Sequence, residues 1–203
     1  MSGLSKMTPN DVNDYWFGPA PSHPDDLTPY SGRWYRVDAD VDAEIRDRFG
    51  QAVEQARSGE LLHWGEEPKG ALALVLLLDQ FGRNIYRDSS LAFLGDPLAR
   101  AIAVRALDRG LDTQLSVPER AFLYHPFEHS EDLADQARSV ALFERLVEEA
   151  APDWRDFAAS FVGYATAHRR VIERFGRFPH RNAALGRESS AEEREYLEAG
   201  GGF

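Results

Sequence analysis

The sequence predicts an all-α protein built from stacked antiparallel helical hairpins. Three observations carry this. Apolar residues recur at three- and four-residue spacing along most of the chain. Capping residues and prolines mark one helix start after another. No segment alternates in the two-residue rhythm of a half-buried strand, and long helices joined by short turns favour antiparallel neighbours. No clean repeat period is present, so this is not a regular repeat array.

The elements follow in order. Thr8 and Pro9 read as a cap and first helical position, with Tyr15, Trp16 and Phe17 before a stop at Gly18. Residues 19 to 36 hold four prolines (19, 21, 24 and 29) and read as an extended surface connection. From Asp40 a stripe of Val41, Ile45, Phe49, Val53 and Ala56 defines a second helix, ended by Gly59. Pro68 starts a third, whose run Ala71 to Leu78 is apolar on every side and belongs at the centre of the core. Asp96 and Pro97 open a helix that stops at Gly110. Ser116 and Glu119 form a capping box for the next, which Pro126 should end or kink at His125. Ser130 reads as the following cap, with Glu131 and Asp132 in the first turn. Asp153 reads as the cap of the last long helix. Its stripe is Phe157, Phe161, Tyr164, His168, Ile172 and Phe175, and Gly176 ends it. Ser190 and Glu193 are a second capping box, before a short terminal helix.

Composition narrows function by exclusion. The 203 residues fit a single domain, 1–203, with a sizeable core. No cysteine is present, so disulfides, thiolate metal sites and cysteine nucleophiles are out, in keeping with a cytoplasmic setting. Met1 to Thr8 does not read as a signal peptide, and Ala71 to Leu78 is far too short to span a membrane. A net charge of -11 disfavours nucleic acid as a partner, because phosphate repulsion acts over most of the surface. Against that background six arginines (169, 170, 174, 177, 181 and 187) face one acid, Glu173, between His168 and Arg187. The run is broken by Gly176 and Pro179, and it reads as an electropositive site set on a turn.

Three blocks carry the candidate chemistry. They are Leu78-Asp79-Gln80-Phe81-Gly82-Arg83-Asn84, Pro126-Phe127-Glu128-His129-Ser130-Glu131-Asp132, and Arg174-Phe175-Gly176-Arg177-Phe178-Pro179-His180-Arg181-Asn182. They look like the three signature blocks of a bacterial family, domain of unknown function 924. Tyr15-Trp16-Phe17-Gly18, Trp34-Tyr35 and Leu185-Gly186-Arg187-Glu188-Ser189 fit its flanks. The resemblance covers essentially the whole chain. It implies a tetratricopeptide-like helical fold and no established activity. Gly82 stands where the family usually has proline, which would loosen that helix end, and Pro19 to Pro29 looks like a local elaboration.

From the residues themselves, Asp79 opposes the dipole of the helix end on which it is expected, and needs a partner when buried. Arg83, one turn on, is a natural one, as a structural ion pair or as a donor aimed at a ligand. Gln80 and Asn84 share that spacing. Glu128 with His129 reads as a hydrogen-bonded pair and a tentative acid/base couple. His180, Arg181 and Asn182 lie on a loop where a planar guanidinium suits phosphate or carboxylate. Arg177, Arg181 and Arg187 would instead staple the terminal segment if each met an acid such as Glu128, Glu131, Asp132 or Glu188. His168 is more readily a hydrogen-bonded core histidine than a ligand. His125, Glu128 and His129 spell the inverted zinc-protease pattern, but Pro126 argues against the continuous helix that it needs, so no metal is assigned. Ser130, beside His129, is better explained as a helix cap than as a nucleophile.

The expected function is binding of a small anionic molecule, with acid/base catalysis at Glu128, His129 or His180 and ligand contacts from Asp79, Arg83, Asn84, Arg181 and Asn182. The cofactor is left unknown. The rival is an interaction scaffold for a protein or peptide partner, with Tyr15, Trp16, Trp34, Tyr35 and Trp64 as anchors.

Overall fold

Local chemistry at the helix starts organises the chain in a computed structural model that describes residues 7–19 and 21–202. The N-terminal reading of Met1 to Thr8 falls largely outside them. Thr8 and Asp11 close a capping box at the head of α1 (Pro9–Phe17), and Gly18 ends it at φ 77°. Residues 24 to 35, expected to be extended, are helical: a 3-10 turn, Pro24–Leu27, runs into α2 (Thr28–Tyr35). The prolines that suggested a loop occupy first-turn positions, where no intrahelical N–H is needed. Helix α3 (Ala39–Arg57) is capped by Asp38.

Helix α4 (Pro68–Val75) is buried on every side from Gly70 onward, as its sequence predicts. Each leucine in it contributes roughly 1.5–3 kcal/mol by leaving water. It does not end near Asp79. A π-helical turn, Leu76–Phe81, carries it without a break into α5 (Gly82–Ile85). Gly82 therefore continues a helix rather than loosening its end. Asp79 lies inside the widened turn, a feature that often accompanies function.

Helix α6 (Asp96–Asp108) follows. In α7 (Val117–Glu128) Pro126 neither ends nor breaks the helix. Every residue from Pro118 to Glu128 is buried, and the His129 N–H closes the last turn on the His125 carbonyl at 2.9 Å. Packing outweighs the local preference at this proline. Asp132, not Ser130, caps α8 (Leu133–Glu149) by accepting from the Ala134 and Asp135 N–H groups. Ser130 donates to Asp135 instead. Helix α9 (Pro152–Phe175) opens on Pro152 with Asp153 in its first turn rather than at the cap, and stops at Gly176, φ 68°. Ser190 and Glu193 box the start of α10 (Ala191–Glu198).

No strand occurs among the described residues. Helix α4 packs on α1, α6 and α7, and α8 lies between α7 and α9. Trp16, Phe81 and Phe122 interlock at the centre with ring centroids 5.3–5.7 Å apart. The π turn and the C-terminal end of α7 meet there, which sets Asp79 against His129.

Candidate functional site

The site starts from Asp79, completely buried in the π turn. Its Oδ1 accepts from His129 Nδ1 at 2.7 Å and from Arg83 Nη2 at 3.2 Å, and its Oδ2 accepts from the Gln80 amide. Burial opposes ionisation of this carboxyl, but His129 and Arg83 more than offset it, so it titrates well below the usual carboxylate range. Burial pushes the His129 imidazole down to about 4 against the pull of Asp79. At neutral pH the pair is thus a carboxylate and a neutral imidazole. Because the carboxylate can only accept, the imidazole proton sits on Nδ1 and Nε2 keeps its lone pair.

Arg83 also reaches Asp96, at 3.0 and 3.1 Å. Arg181, 6% exposed, approaches the same carboxylate at 3.5 Å. One acid at the head of α6 therefore serves two guanidinium groups. Burial pushes Asp96 up to about 6, against the pull of Arg83. Arg181 is pushed down to about 10 by burial and by Arg83, and stays charged at neutral pH. Its guanidinium lies over the rings of Phe93 and Phe178, 4.8 and 4.4 Å from their centroids. Its Nε has no hydrogen-bond partner among the described residues.

Beside this cluster lies a cavity of about 510 Å³. Arg33, Arg36, Arg83, Arg87 and Arg181 line it, against one carboxylate side chain among the described residues, Glu128. Asp42, Asp79 and Asp96 stand behind this wall: Asp42 grips Arg87 bidentately at 2.7 and 2.8 Å, and the other two hold Arg83. Glu128 is buried, with Oε1 3.0 Å from His168 Nδ1. Its Oε2 lies 3.4 Å from His125 Nδ1, and neither of these two atoms makes a hydrogen bond among the described residues. Burial raises the Glu128 carboxyl, while the close approach of His125 and the charges of the neighbouring histidines bring it below its ordinary value. His129 and Arg181 also line a second cavity of about 460 Å³, whose rim carries Asp96, Glu131, Asp132 and Asp135.

The sequence-predicted residues divide three ways. Arg83, Asn84, Glu128, His129, His180 and Arg181 come together on the wall of the larger cavity. Asp79 stands behind it and orients His129. Asn182 is off the wall, donating to Ser189 Oγ at 3.0 Å and accepting from Arg187 Nε at 2.9 Å. The arginine-rich run does not converge as a group. Arg169 meets Glu173, Arg174 meets Glu192, Arg177 meets Glu193 and Arg187 meets Glu131, so of the six only Arg181 reaches the cavity. His168 is buried and hydrogen-bonded to the Tyr164 carbonyl at 2.9 Å. Of the five aromatic anchors named for a scaffold, Tyr15, Trp16, Trp34 and Trp64 are buried, and Tyr35 is exposed. His125 and His129 do share a face of a continuous helix, rings stacked 5.5 Å apart. No group of three potential metal ligands is assembled among the described residues.

Arg33, Arg36, Arg87, Asp96, Phe161 and Tyr164 were not anticipated. The alternation Arg33-Trp34-Tyr35-Arg36 was the available signal for the first two.

Two comparisons agree with this architecture. Residues 12–201 match the family model described as "Bacterial protein of unknown function (DUF924)". The chain belongs to this family. A solved structure of a protein of unknown function from Agrobacterium tumefaciens is 40% identical and superposes with a TM-score of 0.79, over 94% of this chain and 97% of that one. No curated protein matches the chain. DUF924 membership thus brings a shared helical fold and leaves the chemistry to be read from the cavity.

Proposed function

We propose that the chain binds a small phosphate- or carboxylate-bearing molecule in the larger cavity and that His129 acts there as a general base. The observation that carries this is the buried Asp79 carboxylate, which holds His129 Nδ1 and Arg83 together beside the four other cavity-wall arginines. An arginine fork suits an oxyanion, and a neutral imidazole oriented by a carboxylate suits proton abstraction. Among the described residues, none of those lining the cavity is Ser, Thr, Lys or Cys, so in this reading His129 takes its proton from water or from the bound molecule. Glu128 and His180 border the same space as further proton carriers.

Isothermal calorimetry with inorganic phosphate and with acetate tests the binding. At least one anion is expected to bind, and Arg181→Gln to weaken it by at least tenfold while the variant still melts cooperatively. Neither anion binding at millimolar concentration, or an affinity indifferent to Arg181, would overturn the proposal. A scaffold of tetratricopeptide-like stacked hairpins remains the weaker reading, since four of its five aromatic anchors are core residues.

A further inference from the structure

We infer that the anion taken by this cavity carries a flat aromatic body, held at the mouth by Tyr35 and Tyr164. The inference rests on the anion-binding reading and specifies its substrate class. Tyr35, Val37 and Tyr164 are 65%, 77% and 63% exposed, and all three line the one cavity. They arrive from separate places: Tyr35 ends α2, Val37 follows it, and Tyr164 is on α9. Tyr164 sits on the apolar stripe of α9, between Phe161 and His168, yet turns to the cavity mouth instead of the core. Large apolar residues gathered on a concave rim, above a polar floor, are the usual make-up of a small-molecule site.

Size and chemistry set the class. A cavity of about 510 Å³ falls within the roughly 300–1,000 Å³ of ordinary ligand pockets and is far larger than a bare phosphate or acetate ion. The charge belongs against the buried Arg181 and its neighbour Arg83, which share Asp96. The remaining volume faces the two tyrosines and the buried Phe161. Aromatic faces reward a planar partner through stacking as well as through area. The ligand class is therefore an aryl phosphate or aryl carboxylate rather than a compact anion or an alkyl chain.

The test is a calorimetric series on the full chain: methyl, hexyl and 1-naphthyl phosphate, and in parallel acetate, hexanoate and 1-naphthoate. At least one naphthyl anion should bind ten or more times tighter than its methyl counterpart and clearly tighter than its hexyl one. Tyr35→Ser and Tyr164→Ser, both at exposed positions, should erase that increment, read as the ratio of aryl to compact affinity. Equal affinities for compact and aryl anions overturn this inference while leaving anion binding intact. Hexyl matching naphthyl also overturns it, since the apolar contact would then ask nothing of planarity. If no anion of either series binds, the underlying reading fails with it.

Discussion

At the residue scale, three imidazoles resist protonation, because burial lowers His129, His180 and His168 alike. Burial, with Arg83 and Arg181 nearby, pushes both His129 and His180 down to about 4. An unfolded histidine titrates near 6.5, so between these values the folded state binds fewer protons than the unfolded one. Stability then rises with pH across that window. The contribution is complete above about 6.5 and is lost progressively as pH falls towards about 4. Asp96 works the other way, because a carboxyl pushed up to about 6 takes up its proton more readily in the fold. These histidines outweigh the one carboxyl pushed upward in this proton count. Lowering the pH from 7 to 5 is expected to cost on the order of 2 kcal/mol, read from urea midpoints at fixed ionic strength. His180→Asn should flatten the profile. A midpoint that holds steady or rises on acidification would mean that these rings are already charged in the fold.

At the element scale, the decisive contact is between the head of α6 and the π turn. A Cβ at Gly95 would lie 2.5 Å from the Leu78 carbonyl oxygen, with backbone on both sides and no flexible side chain to yield. Gly95 thereby lets Asp96 come within reach of Arg83 and Arg181. Gly95→Ala should destabilise by roughly 1–3 kcal/mol through overpacking and weaken anion binding as Asp96 is displaced. Gly163→Ala is the control: it lies inside α9 with nothing near its would-be Cβ, and should stabilise by about 0.5–1 kcal/mol. Equal effects of the two in urea unfolding would refute the close approach. What was legible in the sequence follows the same division. Thr8, Ser116 and Ser190 announced their helices because capping involves only near neighbours. Pro24, Pro29 and Pro126 misled because a proline is silent in a first turn and can be overruled by packing on all sides. Asp79, Arg83, His129 and Arg181 were legible as polar residues in odd places. Arg33, Arg87 and Tyr164 were not, since only tertiary packing brings α2, the turn after α5, and α9 to one cavity.

At the scale of the whole molecule, the C-terminal segment completes a site begun elsewhere. After Gly176 the chain returns across the turn between α7 and α8, where Glu131 receives it: the Phe178 N–H donates at 2.8 Å and Arg187 donates at 2.7 and 3.0 Å. Arg187 is braced in turn by Asn182, and Arg177 ties the same stretch to Glu193 at the head of α10. Phe178, with Val171 and Ile172, belongs to a small apolar cluster separate from the main core. The segment that brings Arg181 to the cavity therefore depends on a polar staple more than on the central core. Arg177 and Arg187, two of the arginines that looked like a binding site, serve this attachment, while Arg181 is turned inward to the cavity. Glu131→Ala removes the acceptor for all three donors. Bonds to a charged group are worth roughly 1.5–3 kcal/mol each when buried. This half-exposed carboxylate is screened, so the expected loss is nearer about 2 kcal/mol overall. The sharper consequence is local. Amide exchange over residues 178–187 should accelerate at least tenfold while α4 stays protected, and anion affinity should fall because Arg181 is no longer held. Unchanged exchange in that segment would show that Phe178 alone anchors it and that the carboxylate is dispensable.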